Sequence, residues 1–226
     1  MLYGFTRWPY QWISDNFKGE VQWDMSKIMV ATIDIETESE NGFPQVDNPI
    51  ERVNAITLKN HQTKKFVVFG LHPYTTNRDD VTYIKCETED ELLRRFIRFW
   101  EANYPDVLTG WNSRFFDVPY LVNRIKVRLG EDEVKRLSPW RSVFNDDQYW
   151  QGRKHTAFDL VGISQLDYLD LYRKYTYSAQ ESYRLDHIGF VELGKAKNVN
   201  PYETFREWYQ KDYQSFIDYN IMDVEL

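Results

Sequence analysis

A chain of 226 residues with 42% hydrophobic and 17% aromatic content can bury a sizeable core, which excludes a disordered tail or a low-complexity scaffold. Its 35 acidic residues outnumber 28 Lys and Arg, and the net charge of −7 argues against bulk attraction to polyanions, although a local basic groove or metal held over acids still permits nucleic-acid binding. Cys86 is the single cysteine, which excludes an internal disulfide and a cysteine-based zinc site and suits a reduced, cytoplasmic setting; no stretch reaches membrane-spanning length, and the amino terminus lacks the apolar core of a signal peptide.

Residues 1–25 are aromatic and polar without a clear period, and read as an irregular lead-in. Regular structure is expected from Lys27, where a continuous apolar run leads into ATIDIETESE. Two β-rich runs follow, Val53–Lys59 and Lys65–Leu71, joined by a tight connection, so three antiparallel strands are expected, with Val81–Cys86 as a fourth short run. Thr88–Tyr104 reads as a helix: Thr88 and Glu91 have capping-box spacing, and Leu92, Phe96, Phe99 and Trp100 recur at helical period. Asp106–Trp111 suits a strand and Val118–Leu129 an amphipathic helix ended by Gly130. Between Ser138 and Phe158 turn residues at Asn145–Asp147 and Gln151–Gly152 favour a projecting β-hairpin. Ser164–Leu169 then reads as a strand, Ser182–Leu193 as a helix, and Pro201–Leu226 as largely helical. The succession implies an α/β fold, a mixed sheet flanked by helices.

Within the first strand, Asp34 and Glu36 are two residues apart and project from one face. At ~4 Å and an effective dielectric near 20 two carboxylates repel by roughly 4 kcal/mol, so either one takes a proton or a cation binds between them. Acidic oxygen ligands without histidine suit magnesium or manganese rather than zinc. Asp-x-Glu is a weak motif, since Asp223-Val-Glu225 repeats it, and a solvated strand end is its ordinary reading. In GWNSRFFDVPY (residues 110–120), Asn112 and Asp117 fall where a strand gives way to a helix, a common place for functional groups. Helix capping beside Pro119 is the alternative for Asp117. In DYNIMDVEL (residues 218–226), Tyr219 and Asp223 share a helix face. Their order and spacing make the three motifs informative together: four carboxylates could hold two divalent ions, the equipment for displacement at phosphorus, with a tyrosine to orient water.

With DIET at 34–37, NSRFFD at 112–117 and YNIMD at 219–223, the chain resembles the 3′–5′ proofreading exonuclease domain of family B DNA polymerases, most closely those of T-even-type bacteriophages. The segments LTGWN, VPYLVNRIK, RLSPW and GISQLDYLDLYRKYTYS carry the resemblance between the motifs, from about Tyr10 onward. It implies a ribonuclease H-like fold and the tyrosine branch of the DEDD exonucleases, with an exonuclease domain over residues 26–226. By motif, Asp34, Glu36 and Asp223 would ligate one Mg2+ or Mn2+ ion, Asp34 and Asp117 would hold a second, and Tyr219 would position the attacking water. Asn112 would approach the terminal nucleotide, and Phe43 and Phe116 would contact substrate, Phe43 by packing on bases of a frayed primer end. Arg141–Ala157 falls where the phage family carries a hairpin that helps part primer from template. The implied partners are single-stranded DNA or a primer-template 3′ end and the remainder of a polymerase, in the cytoplasm of a phage-infected bacterium and with no membrane.

The sequence departs from the family in two places. A larger amino-terminal domain would precede Asp34, and palm, fingers and thumb would follow Asp223; an excised domain or split-gene product without polymerase activity is therefore expected. Asp223 and Glu225 also stand in a last helical turn, where negative charge opposes the macrodipole, so fraying is expected to weaken the metal site. Phosphate contacts could come from Arg114, Lys126, Arg128, Lys135, Arg136, Arg141, Arg153, Lys154, Arg173 and Lys174, each of which also suits a solvated face. Three other functions compete: a free-standing nuclease acting on RNA or oligonucleotides, a catalytically silent module that binds DNA or docks a polymerase, and a glycosidase acid pair, which leaves Asp117, Tyr219 and Asp223 unexplained.

Overall fold

The computed structural model describes residues 8–20, 22–150, 152–194 and 200–226. It begins with a helix that no periodicity predicts, α1 (Trp8–Asn16). From Tyr10 to Asn16 every residue on it is exposed, so these residues offer no buried face to imprint a 3.6-residue pattern on the sequence. Local bonds such as Gln11 Nε2 to Asp15 Oδ1 (3.0 Å) brace it instead. The irregular reading of residues 1–25 is thus corrected for 8–16, and residues 1–7 lie outside the described residues.

The apolar run after Lys27 forms β1 (Val30–Thr37), followed by β2 (Val53–Asn60), β3 (Phe66–Gly70) and β4 (Val81–Lys85). β1, β2 and β3 pair antiparallel as expected, whereas β4 lies parallel to β3 at the sheet edge. α2 (Glu89–Ala102) starts at the expected cap, with Glu91 N donating to Thr88 Oγ1 at 3.2 Å. β5 (Val107–Thr109) runs parallel to β1 and leads to α3 (Asp117–Leu129), which Gly130 ends at φ 97°, and then to the short α4 (Glu131–Lys135).

The expected hairpin is present as two antiparallel pairs. β6 (Val143–Asn145) pairs with β9 (Phe158–Leu160), and β7 (Gln148–Trp150) pairs with β8 (Arg153–His155); Gln151, at the expected turn, lies outside the described residues. β10 (Ser164–Gln165) is shorter than its apolar pattern suggests because Asp167 caps a helix there, accepting from Leu169 N at 2.9 Å. That helix is α5 (Tyr168–Tyr175), followed by α6 (Leu185–Leu193), α7 (Phe205–Lys211) and α8 (Tyr213–Glu225). The main sheet has the order β10-β5-β1-β2-β3-β4.

Period-two alternation divides the core between the two faces of this sheet. Ile33, Ile35, Ile56 and Leu58 pack with Leu92, Phe96, Leu121 and Ile125 of α2 and α3. Ala55, Phe66 and Val68 pack on the opposite face with Trp208, Phe216, Ile217 and Ile221 of α7 and α8. One buried ion pair pins the first layer: Arg124 on α3 makes a bidentate contact to Glu89, the first residue of α2, at 2.7 and 2.6 Å. Glu89 Oε1 also accepts from Val53 N at 2.8 Å, and Arg124 Nη1 donates to the Pro49 carbonyl at 2.8 Å, so two helices and the entry to β2 meet at one point. Among the described residues, no helix is long and apolar enough to cross a membrane.

Candidate active site

With Ile33 and Ile35 committed to the α2–α3 core, Asp34 and Glu36 must face α8. There they meet Asp223, and one carboxylate oxygen from each of Asp34, Glu36 and Asp223 lies within 4.8 Å of the others. Glu36 is buried and Asp34 and Asp223 are half-buried, so water screens their mutual repulsion only in part. Tyr219, one turn back on α8, hydrogen-bonds Asp223; burial first, and then the charges of Asp223, Glu36 and Asp34, push its hydroxyl pKa well up, so it stays protonated and donates. Trp208 holds the Tyr219 ring edge-on at a centroid separation of 4.9 Å.

Asp117 does not join that trio. It is 3% exposed at the first position of α3, and its Oδ1 accepts from Ile35 N at 2.9 Å, bracing the strand between the two acids. Burial, opposed by these amide bonds and assisted by Asp167 and Asp223, pushes its carboxyl up to about 7. The unfolded chain releases this proton near pH 3.9, so the folded state binds more protons between that pH and about 7, and stability falls across the window as pH rises. Asp117→Asn keeps the acceptor for Ile35 N and is expected to raise the melting temperature by several degrees at pH 8 in chelator, with little effect at pH 4. Scanning calorimetry at the two pH values measures this, and a destabilised variant at pH 8 would contradict it.

The turn before Asp117 approaches β1 so closely that a Cβ on Gly110 would stand 2.6 Å from the Ile33 carbonyl oxygen. Asn112 adopts φ 64°, a left-handed conformation that asparagine tolerates better than most residues. Asp167 stabilises it: its carboxylate accepts from Asn112 N at 3.1 Å and Arg114 N at 2.9 Å. Sequence reasoning missed Asp167, whose only signal was its helix-cap position in QLDYLDLY.

Phe43, 77% exposed, rests on Phe116 at a centroid distance of 5.9 Å. Together with Val46, Asn112, Lys154 and His155 these rings line a cavity of about 430 Å3 beside the Asp117 turn. Thr156 Oγ1 donates to Asp47 Oδ1 at 2.5 Å, and Arg114 Nη2 to Asp146 Oδ2 at 2.8 Å, so the hairpin is tied both to the Phe43 loop and to the Asn112 turn. Of the bases expected to contact phosphate, Arg173 lines this cavity, as does Lys154, which is ion-paired with Asp147 at 2.8 Å. Lys126, Arg128, Lys135, Arg136 and Arg141 instead pair with acids of the chain itself.

The last turn of α8 carries no base of its own, yet positive charge reaches it from β2 and from the loop before β4. Arg78 Nη1 donates to Glu225 Oε2 at 3.0 Å and Lys59 Nζ to the Glu225 carbonyl at 3.5 Å. Both cations also lie over the Phe66 ring, at 4.9 and 5.2 Å. These two cations offset the negative charge that was expected to fray this turn, whose last amide, Leu226 N, donates to the Met222 carbonyl at 3.0 Å.

An acidic cluster between a sheet and its last helix, on a mixed sheet with helices on both faces, fits an exonuclease domain of the ribonuclease H-like kind. The family model for the exonuclease domain of family B DNA polymerases matches residues 9–188, and the chain belongs to that family. The DNA-directed DNA polymerase of Escherichia phage RB69 is 36% identical over 98% of this chain and 27% of its own length, and that of Enterobacteria phage T4 is 31% identical over 98% and 27%. The DNA polymerase delta catalytic subunit of Candida albicans is 27% identical over 79% of this chain and 18% of its own length. The chain thus spans about a quarter of the length of the phage relatives.

Proposed function

We infer that this chain is a metal-dependent 3′–5′ exonuclease that removes nucleotides from single-stranded or frayed DNA ends, the proofreading part of a phage-type family B polymerase. The observation that carries the reading is the convergence of Asp34, Glu36 and Asp223 beneath the Tyr219 hydroxyl. The donor set fits a hard divalent cation: three carboxylates, with no histidine or cysteine among them, match Mg2+ or Mn2+. Asp34, Glu36 and Asp223 would hold one ion, and Asp34 with Asp117 a second. When bound, the ions supply a nucleophilic water at neutral pH and neutralise charge on the phosphodiester.

The residues of the chain do the positioning. Tyr219, kept protonated, directs its hydroxyl toward the place where water attacks in line with the departing 3′ oxygen. The Phe43–Phe116 cavity accepts an unstacked base by its π faces without reading its identity, which suits an enzyme that must remove any nucleotide. Asn112, whose backbone Asp167 fixes, lines that cavity, while Arg173 offers charge to the backbone of the strand, as would Lys154 on exchanging its partner Asp147 for a phosphate.

The test is degradation of a 5′-labelled single-stranded DNA and its RNA equivalent with Mg2+, Mn2+ or chelator. A metal-dependent 3′-end ladder on DNA is expected; a ladder on RNA alone would transfer the activity to RNA, and no ladder in any metal would leave a silent binding module. Tyr219→Phe is expected to lower kcat by about 10- to 100-fold through misplaced water while leaving Mn2+ affinity within about two-fold, since a phenol makes little contribution as a ligand for this ion class. Single-turnover kinetics beside a metal titration separates the two quantities.

A further inference from the structure

Asn220 is fully buried in α8, yet its side chain is not packing material. Its Nδ2 donates to Asp34 Oδ2 at 2.6 Å, and its Oδ1 accepts from the hydroxyl of Thr57, itself fully buried on β2. Asp34 and Thr57 are cross-strand partners, so one amide links the helix to a facing pair in the β1–β2 ladder. Chemistry dictates the direction of this relay: an ionised carboxylate only accepts, so the amide NH2 must face Asp34, the amide oxygen must face β2, and the Thr57 hydroxyl must donate. Burial makes each link costly to break.

We propose that Asn220, held by Thr57, is the positioning residue that fixes the rotation of the Asp34 carboxylate and makes the acidic cluster select a small octahedral cation over a larger one. The inference rests on the metal reading given above. One oxygen of Asp34 already accepts a short bond from a buried amide, which disfavours giving both oxygens to a single ion. Mg2+ and Mn2+ take six ligands in octahedral geometry and lose little by this restraint. Ca2+ takes six to eight oxygens and often uses carboxylates in bidentate fashion, so a fixed Asp34 penalises it. Loosening the carboxylate therefore weakens binding of the small ion and raises Ca2+ relative to it.

The full chain is titrated with Mn2+, followed by electron paramagnetic resonance, and with Ca2+ in competition, alongside Asn220→Leu, Thr57→Val and Thr57→Ser. Asn220→Leu and Thr57→Val are expected to lower Mn2+ affinity by roughly 10- to 100-fold, the usual effect of removing a partner that orients a ligand, and to narrow the Mn2+/Ca2+ affinity ratio. Thr57→Ser restores both quantities because it returns the hydroxyl. A wild-type ratio in both disruptive variants overturns the proposal; so do equal losses for the two ions accompanied by a lower melting temperature and no rescue by serine, which would make Asn220 a packing residue. If Asn220→Leu does not fold, the Thr57→Val and Thr57→Ser pair decides on the same criteria. A wild-type chain that binds no Mn2+ overturns the metal reading itself, an outcome separate from a failure of this inference alone.

Discussion

Replacing Asp223 with alanine is expected to slow metal-dependent shortening of 5′-labelled single-stranded DNA by about 10^3-fold or more. Charge stabilisation by a bound ion contributes several kcal/mol to the barrier, and each 1.36 kcal/mol is a factor of ten. Asp223 is one of three carboxylates whose oxygens lie within 4.8 Å, and it also hydrogen-bonds Tyr219, so on the proposed function its loss would remove a ligand and misplace the residue that orients water. The same variant is expected to melt no lower than wild type in chelator, because a repulsive charge beside Asp34 and Glu36 has gone. Magnesium is expected to stabilise the wild type by preferential binding to the folded state, and that gain should shrink in the variant. A ladder assay paired with melting curves in both media checks each part; near-wild-type degradation would remove Asp223 from the metal site.

The largest effect on stability is expected away from the acids. Arg124→Ala leaves Glu89, 4% exposed, as a buried carboxylate without the guanidinium that embraced it, with only the more distant Arg128 Nε at 3.6 Å remaining, and strands the Pro49 carbonyl as well. Breaking a buried ion pair from one side costs about 3–5 kcal/mol. For a domain of this size about 1 kcal/mol lowers the melting temperature by ~2–4 °C, so a fall of roughly 6–20 °C is expected. Arg124→Met with Glu89→Leu, which removes both charges and refills the volume, should recover much of it. A single variant that melts within about two degrees of wild type would show that water reaches Glu89 and screens it.

The legible parts of the sequence were those whose signal is local. Asp34 and Glu36 stood out because period two places them opposite Ile33 and Ile35, and their faces follow from that alternation alone. α2 was legible from Thr88, Glu91 and the Leu92–Phe96–Trp100 spacing. By contrast, β4 and an antiparallel strand have the same period, so its parallel pairing with β3 could not be read from Val81–Lys85. The motif order brought Asp117 into the site but could not show that its carboxyl also braces Ile35 N, 82 residues away. Asn220 and Thr57 are ordinary residues in a helix and a strand, and only their contact across 163 residues gives them meaning. α1 was invisible for the opposite reason: its residues from Tyr10 to Asn16 are all exposed, so nothing there had to repeat.

The ties from Thr156 to Asp47 and from Arg114 to Asp146 fasten three segments distant in sequence into one wall around the Phe43–Phe116 cavity. The entropy of arranging those segments is lost during folding rather than at each encounter with a DNA end. On the proposed function, a base entering the cavity would have only its own freedom to surrender, and would leave without undoing the wall. For an enzyme that must admit and discharge one nucleotide after another, such a rigid vestibule favours turnover over tight retention.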